Sequence, residues 1–205
     1  FWINKGPWSV LDAHASFMPA SYAGIAIPAH KPEAGNFYPQ GATKASLETW
    51  MNGLPADDKQ QAQWFFTTIR AGKDGKYHTV KYSDEYKVEL KQLAKLLDEA
   101  AAATDNASLK KFLSLRAKAF LDNDYLPSDF AWMDLDAPVD ITIGPYETYN
   151  DELFGYKAAF EAYVNIRDQA ETQKLNFFAK HMQELEDNLP LDAQYRNPKV
   201  GALAP

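Results

Sequence analysis

The stretch DITIGPYETYNDELFGYKAAFEAYVNIR, residues 140–167, decides how this chain folds. It opens on Ile141, Thr142 and Ile143, β-branched side chains that suit a pleated, half-buried backbone. Gly144-Pro145 predicts a break there, since glycine admits unusual dihedrals and proline fixes φ and removes a donor. Polar side chains follow without interruption from Tyr146 to Glu152. A second run then sets Ala158, Phe160, Ala162, Val164 and Ile166 against Lys157, Glu161, Asn165 and Arg167. Alternation at period two buries one face and leaves the other to water or a cleft. The prediction is two strands holding a polar loop, which sets functional side chains on a rigid frame.

Helical periodicity surrounds this stretch. Thr43 caps a helix with Leu47, Trp50 and Met51 on one face, ending at Gly53, and a short helix covers 56–63. Residues 64–69 and 79–82 flank the turn formers Gly72-Lys73-Asp74-Gly75, which predicts a hairpin. Ser83 is expected to cap a long helix with the stripe Tyr86, Leu90, Leu93, Leu96 and Leu97, running to Ala103. Leu109, Phe112, Leu113, Leu115, Arg116, Ala119 and Phe120 outline its antiparallel partner. Phe130 to Met133 is expected to pack. A third long helix over 168–188 carries Leu175, Phe178, Met182 and Leu185 on one face. Residues 1–42, broken by Pro19, Pro28, Pro32 and Pro39, are expected to wrap over the rest, anchored by Trp2, Trp8, Phe17, Tyr22, Phe37 and Tyr38. Gly6-Pro7-Trp8 reads as a turn that buries an indole. The fold class is α+β, mainly helical with a small, largely antiparallel sheet forming a partial barrel. Its parts are 1–42, 43–135, 136–167 and 168–205, in one lobe.

Composition narrows the function. The 205 residues are 46% hydrophobic and 24% charged, an ordinary globular balance. A net charge of −7 argues against nucleic acid or an anionic membrane as partner. Lys73, Lys76, Lys81 and Lys87 are interleaved with Asp74, Asp84 and Glu85, which reads as a solvated face. The absence of cysteine excludes disulfides and thiolate metal sites. No apolar run reaches the length of a membrane helix, and the expected protein is soluble, cytoplasmic rather than periplasmic. The start at Phe1 and the unpatterned tail Lys199 to Pro205 suggest a piece of a longer chain.

The residues themselves offer several chemistries. His14, His30, His78 and His181 do not pair at ligand spacing, and His181 with Glu184 is too little for zinc. Asp122-Asn123-Asp124 has the D-x-D spacing of a calcium loop but lacks its glycine and distal glutamate, so capping is the better reading. Glu147 with Asp151 or Glu152 could act as a glycosidase carboxylate pair, or simply hydrogen-bond their own loop. The Tyr149 phenol could donate to a developing oxyanion, or be a buried structural tyrosine.

ASFMPASYAGIAIPAHKPEAGNFYP (15–39), DYLPSDFAWMDLDAPVDITIGPYETYNDELFGYKAAFEAYVNIRD (124–168) and above all GPYETYNDELFGYKAAFEA (144–162) resemble the dipeptidyl peptidase III family of zinc metallopeptidases, in particular its bacterial members. The family's helical His-Glu zinc motif and downstream glutamate ligand do not occur in these residues. The resemblance implies one lobe of a two-lobed peptidase, with zinc held by ligands outside this chain and none by the chain alone. It implies that Glu147 holds a peptide substrate's free amino terminus and that Tyr149 stabilises the oxyanion. The partners so implied are a peptide and a C-terminal zinc-bearing lobe, without which these residues are expected to be inactive. A non-catalytic peptide-binding module is the alternative from another class.

Overall fold

The computed structural model describes residues 2–9, 11–22, 24–33 and 35–200. The Trp2 side chain and Gly201–Pro205, the end of the unpatterned tail, lie outside what is described. The elements in order are α1 (Trp2–Lys5), β1 (Ser21–Tyr22), β2 (Ile25–Ala26), α2 (Lys44–Asn52), α3 (Ala56–Ala62), β3 (Thr67–Ala71), β4 (Tyr77–Lys81), α4 (Tyr82–Glu85), α5 (Lys87–Ala103), α6 (Ala107–Asp122), α7 (Leu126–Met133), β5 (Val139–Glu147), β6 (Ala159–Ile166) and α8 (Gln169–Asp187). The class is mixed and mainly helical, with antiparallel strands, as expected. Among the described residues those strands form three two-stranded ribbons, β1-β2, β3-β4 and β5-β6. No helix among them is long and apolar enough to cross a membrane.

Two apolar cores organise these elements. The α5–α6 hairpin builds the first from Leu90, Ala94, Leu97, Leu109, Phe112, Leu113 and Phe120, with Tyr82, Tyr86 and Phe160 closing it. Asn106 starts α6 by accepting the Leu109 amide, a cap that satisfies an otherwise orphan donor. The second core joins Phe37 and Tyr38 to Leu47, Met51, Ala62, Ile69, Leu153 and Ala159. Thr43 and Ser46 form a reciprocal capping box that fixes the start of α2 beside it. Ala159 and Phe160 are neighbours in β6 yet belong to different cores, because successive strand side chains point to opposite faces. The start of β6 is therefore the wall between the cores.

Several expectations are corrected. Gly144-Pro145 does not end the first strand; β5 runs through it to Glu147, with an irregularity between Pro145 and Glu147. In a two-stranded ribbon, a proline on the unpaired edge forfeits no ladder bond. Trp64 and Phe65 precede β3 in a turn and are exposed. Ser83 lies inside α4, and Tyr86 separates that short helix from α5. Leu96, Phe130 and Met133 are exposed rather than packed. In the N-terminal segment Phe37 and Tyr38 are buried, but Phe17 and Tyr22 are exposed. Trp8 is half-buried, lies against Gly6 and donates its indole N–H to the Pro28 carbonyl at 2.9 Å. Asn4 is a further buried anchor of that segment: its Oδ1 accepts the Phe160 amide at 2.9 Å and its Nδ2 donates to the Tyr86 hydroxyl at 3.1 Å. The α8 helix is capped by Asp168 but has no buried residue, so Leu175, Phe178 and Leu185 stay exposed.

Arg116 binds the ribbon to the helices. It is fully buried and pairs with Asp129 at 2.5 Å. Its guanidinium carbon lies 5.5, 5.4 and 5.3 Å from the ring centres of Phe112, Tyr125 and Tyr146. These ring faces attract the cation where its Nε and Nη1 have no protein acceptor. Gly144 passes directly over it at φ +146, and a Cβ there would stand 2.6 Å from Nη1. Gly144→Ala should therefore cost about 3 kcal/mol in urea unfolding, from strained dihedrals plus overpacking.

Candidate functional site

The polar loop at the end of the β5–β6 ribbon is built around one carboxylate. Asp151 is completely buried. Its Oδ1 accepts the amides of Leu153 and Phe154, both at 2.9 Å. Its Oδ2 accepts the Tyr38 hydroxyl at 2.5 Å and the amides of Tyr156 and Lys157 at 2.9 and 3.0 Å. Ionised carboxylates hold such charge-assisted donors strongly; the four amides close the loop into a ring, and the Tyr38 hydroxyl is the fifth donor. Burial, with the Asp151 charge beside it, pushes the Tyr38 phenol far above its usual range, so it remains a donor.

Lys157 completes the base of the ring. The alternating pattern placed it on the open face, yet it is fully buried. Its Nζ donates to the carbonyls of Ala62 and Trp64 at 2.6 and 3.1 Å and to Thr67 Oγ1 at 2.8 Å. The loop turns it inward because its own amide must reach Asp151. Burial lowers its ammonium pKa to about 7, opposed by the Asp151 charge.

Held this way, the 3-10 turn Tyr149–Asp151 points its residues in opposite directions. Asn150 and Asp151 go inward, while Tyr149 is 63% exposed. Of the two readings of Tyr149, the buried structural one is therefore excluded. Glu147 ends β5 half-buried, opposite Ala159. Glu161 is two residues further along β6 on the same side of the ribbon, since side chains alternate. Burial raises the Glu161 carboxyl, Lys5 at 4.0 Å opposes the rise, and the Glu147 charge adds to it. The structure thus gathers Glu147, Tyr149 and Glu161 at one end of the ribbon. In sequence Glu161 reads only as a polar position; its signal is a carboxylate two residues along β6 from Ala159, the partner of Glu147.

The carboxylate-pair reading loses its members. Both Asp151 oxygens are occupied within the loop, and Glu152 turns to His14 and Lys31 at 2.9 and 3.0 Å. Zinc finds no fitting donor set in these residues. His14 is engaged with Glu152, and His78 lies in β4. The exposed His181 contacts Glu184 on α8 through Nδ1 at 3.2 Å. Among the described residues no group of three or more His, Asp or Glu is placed to hold a metal ion.

Comparison with known proteins gives these features a setting. The family model described as "Peptidase family M49" matches residues 43–202. The dipeptidyl-peptidase III structure from Corallococcus sp. strain EGB is 56% identical, with a TM-score of 0.76 over 99% of this chain and 36% of that one. The DPP III structure from Caldithrix abyssi is 44% identical, with a TM-score of 0.78 over 95% of this chain and 35% of that one. A curated relative from Arabidopsis thaliana, "Nudix hydrolase 3", is 39% identical over 242 residues, 98% of this chain and 31% of its own. The chain therefore spans about a third of the length of these relatives.

Two outcomes test the ring. Asp151→Asn leaves one acceptor oxygen for five donors and should cost about 3 kcal/mol in chemical denaturation. For Lys157 the sign follows from its depressed pKa: between about pH 7 and its ordinary unfolded value near 10.5, the unfolded chain binds more protons. The stability of wild type relative to Lys157→Met should rise from pH 7 to pH 9, by at most about 1.4 kcal/mol per pH unit. Paired urea titrations at the two pH values measure it.

Proposed function

The chain belongs to peptidase family M49, and we propose that it forms one wall of the substrate cleft in a longer zinc-dependent peptidase that cleaves peptides near their amino terminus. Glu147 takes the substrate's terminal ammonium, with Glu161 beside it as a second carboxylate. Tyr149 donates its phenolic proton to the oxygen that gains charge as the peptide carbonyl is attacked. A carboxylate is the natural partner of an ammonium, and a preorganised donor aimed at a developing oxyanion lowers the barrier directly. The observation that carries this reading is the exposed Tyr149 phenol on a turn locked by the buried Asp151. A locked turn presents the donor without reorganisation at the moment of reaction. Zinc enters this reading as a group held by residues outside these 205, and so does the activity, which the chain alone lacks.

Kinetics of the complete protein test the assignment. Tyr149→Phe should lower kcat by roughly ten- to thousand-fold, the range for losing one oxyanion donor. Glu147→Gln should raise KM about ten-fold for peptides with a free amino terminus, the size of one charged hydrogen bond, and leave acetylated peptides unaffected. An unchanged kcat for Tyr149→Phe removes the phenol from the mechanism. A complete protein that binds peptides but cleaves none supports the non-catalytic module instead.

A further inference from the structure

A second grip on the Tyr149 turn comes from the far end of the sequence. Glu152 follows the turn at φ +55, a left-handed conformation that non-glycine residues adopt at a cost. Glycine would relieve that strain, but glycine could not do what the Glu152 carboxylate does. Its Oε1 meets His14 Nε2 at 2.9 Å and its Oε2 meets Lys31 Nζ at 3.0 Å. Lys31 Nζ also donates to the backbone carbonyl of Asn150, the residue after Tyr149. One ammonium therefore grips both flanks of Asp151, reaching Asn150 from 119 positions away in sequence.

The N-terminal segment is shaped to deliver this grip. Ala13 and His14 are both left-handed, at φ +49 and +60, a tight reversal. The Lys31 amide donates to the His14 carbonyl at 3.1 Å, so the two side chains that meet Glu152 are registered against each other. Ala15 and His30 bridge beside them. Exposed ion pairs contribute little, but the Lys31 side chain is only 7% exposed, so its bonds are poorly screened and hard to replace with water. The Asp151 ring holds the loop independently of this contact.

We propose that Lys31 and Glu152 are positioning residues for Tyr149: the N-terminal segment clamps the turn through them and sets the aim of the phenol. This rests on the peptidase reading of Tyr149. In the complete protein, Lys31→Met should lower kcat about ten-fold with KM changed less than two-fold, as expected when a reacting group is misaimed by a fraction of an ångström. Lys31→Arg should recover most of the loss. Glu152→Gly should lower kcat similarly, although glycine suits the backbone. Near-UV circular dichroism should be that of the wild type in all three.

Hydrogen exchange supplies a readout independent of catalysis. The Asp151 and Glu152 amides, which close the turn onto Thr148 and Tyr149, should exchange faster in Lys31→Met. The Tyr156 and Lys157 amides, bound to Asp151, should not change. Wild-type kcat in Lys31→Met overturns the clamp, as does a fall in kcat that merely tracks lost folded protein or acceleration of all four amides together. A wild-type protein without peptidase activity overturns the peptidase reading instead, and the exchange pattern still decides whether the clamp exists.

Discussion

A buried carboxylate with five donors is the constraint on which the rest depends. Taking the Asp151 charge out of water is costly, and only a full set of donors offsets it. Those donors dictate the loop: the amides of Leu153, Phe154, Tyr156 and Lys157 have to converge, so the chain between β5 and β6 curls round the carboxylate. The Tyr38 hydroxyl then ties the N-terminal segment to the same point. Lys157, drawn inward with its amide, caps the carbonyls where α3 turns into β3. Tyr149 faces solvent while its neighbours Asn150 and Asp151 turn inward.

The rigidity of the site is uneven along the ribbon. At the start of β6, Ala159 and Phe160 are each locked into a core, and the Tyr82 hydroxyl bonds the Ala158 carbonyl at 2.7 Å. Gly144 lies on Arg116 just across the ladder. At the other end Tyr163, Val164 and Ile166 are exposed. Glu147 and Glu161 sit at the clamped end, where a carboxylate can be held to a fixed position. The candidate site residues lie where both cores meet.

Much of this was legible in local chemistry. The α5–α6 hairpin follows from apolar spacing, and the α2 start follows from Thr43 and Ser46. Gly144-Pro145 misled because its reading as a break assumes a central strand, whereas a ribbon edge needs no donor from proline. Lys157 was misread because alternation holds only within a strand, and it precedes β6 in a loop governed by Asp151. The α8 pattern correctly marks an apolar face, but periodicity says that a face wants covering, not what covers it. Glu147 and Tyr149 entered by resemblance and by residue type. Lys31, a single lysine in a proline-rich segment, carried no local signal, because its partners are distant in sequence.

The bond between Asn4 and the Phe160 amide joins residues 156 positions apart. Lys31 and Tyr38 likewise wait for partners more than a hundred residues downstream. On a translating ribosome, at about 5–20 residues per second, Asn4 precedes its partner by roughly 8 to 30 s. Helices α5 and α6 make their contacts with each other and can form within that interval. The segment that holds Asn4, Lys31 and Tyr38, made ahead of these partners, cannot take up their bonds until β6 and the loop before it exist. The candidate site is therefore completed only when a segment made early meets a strand made much later.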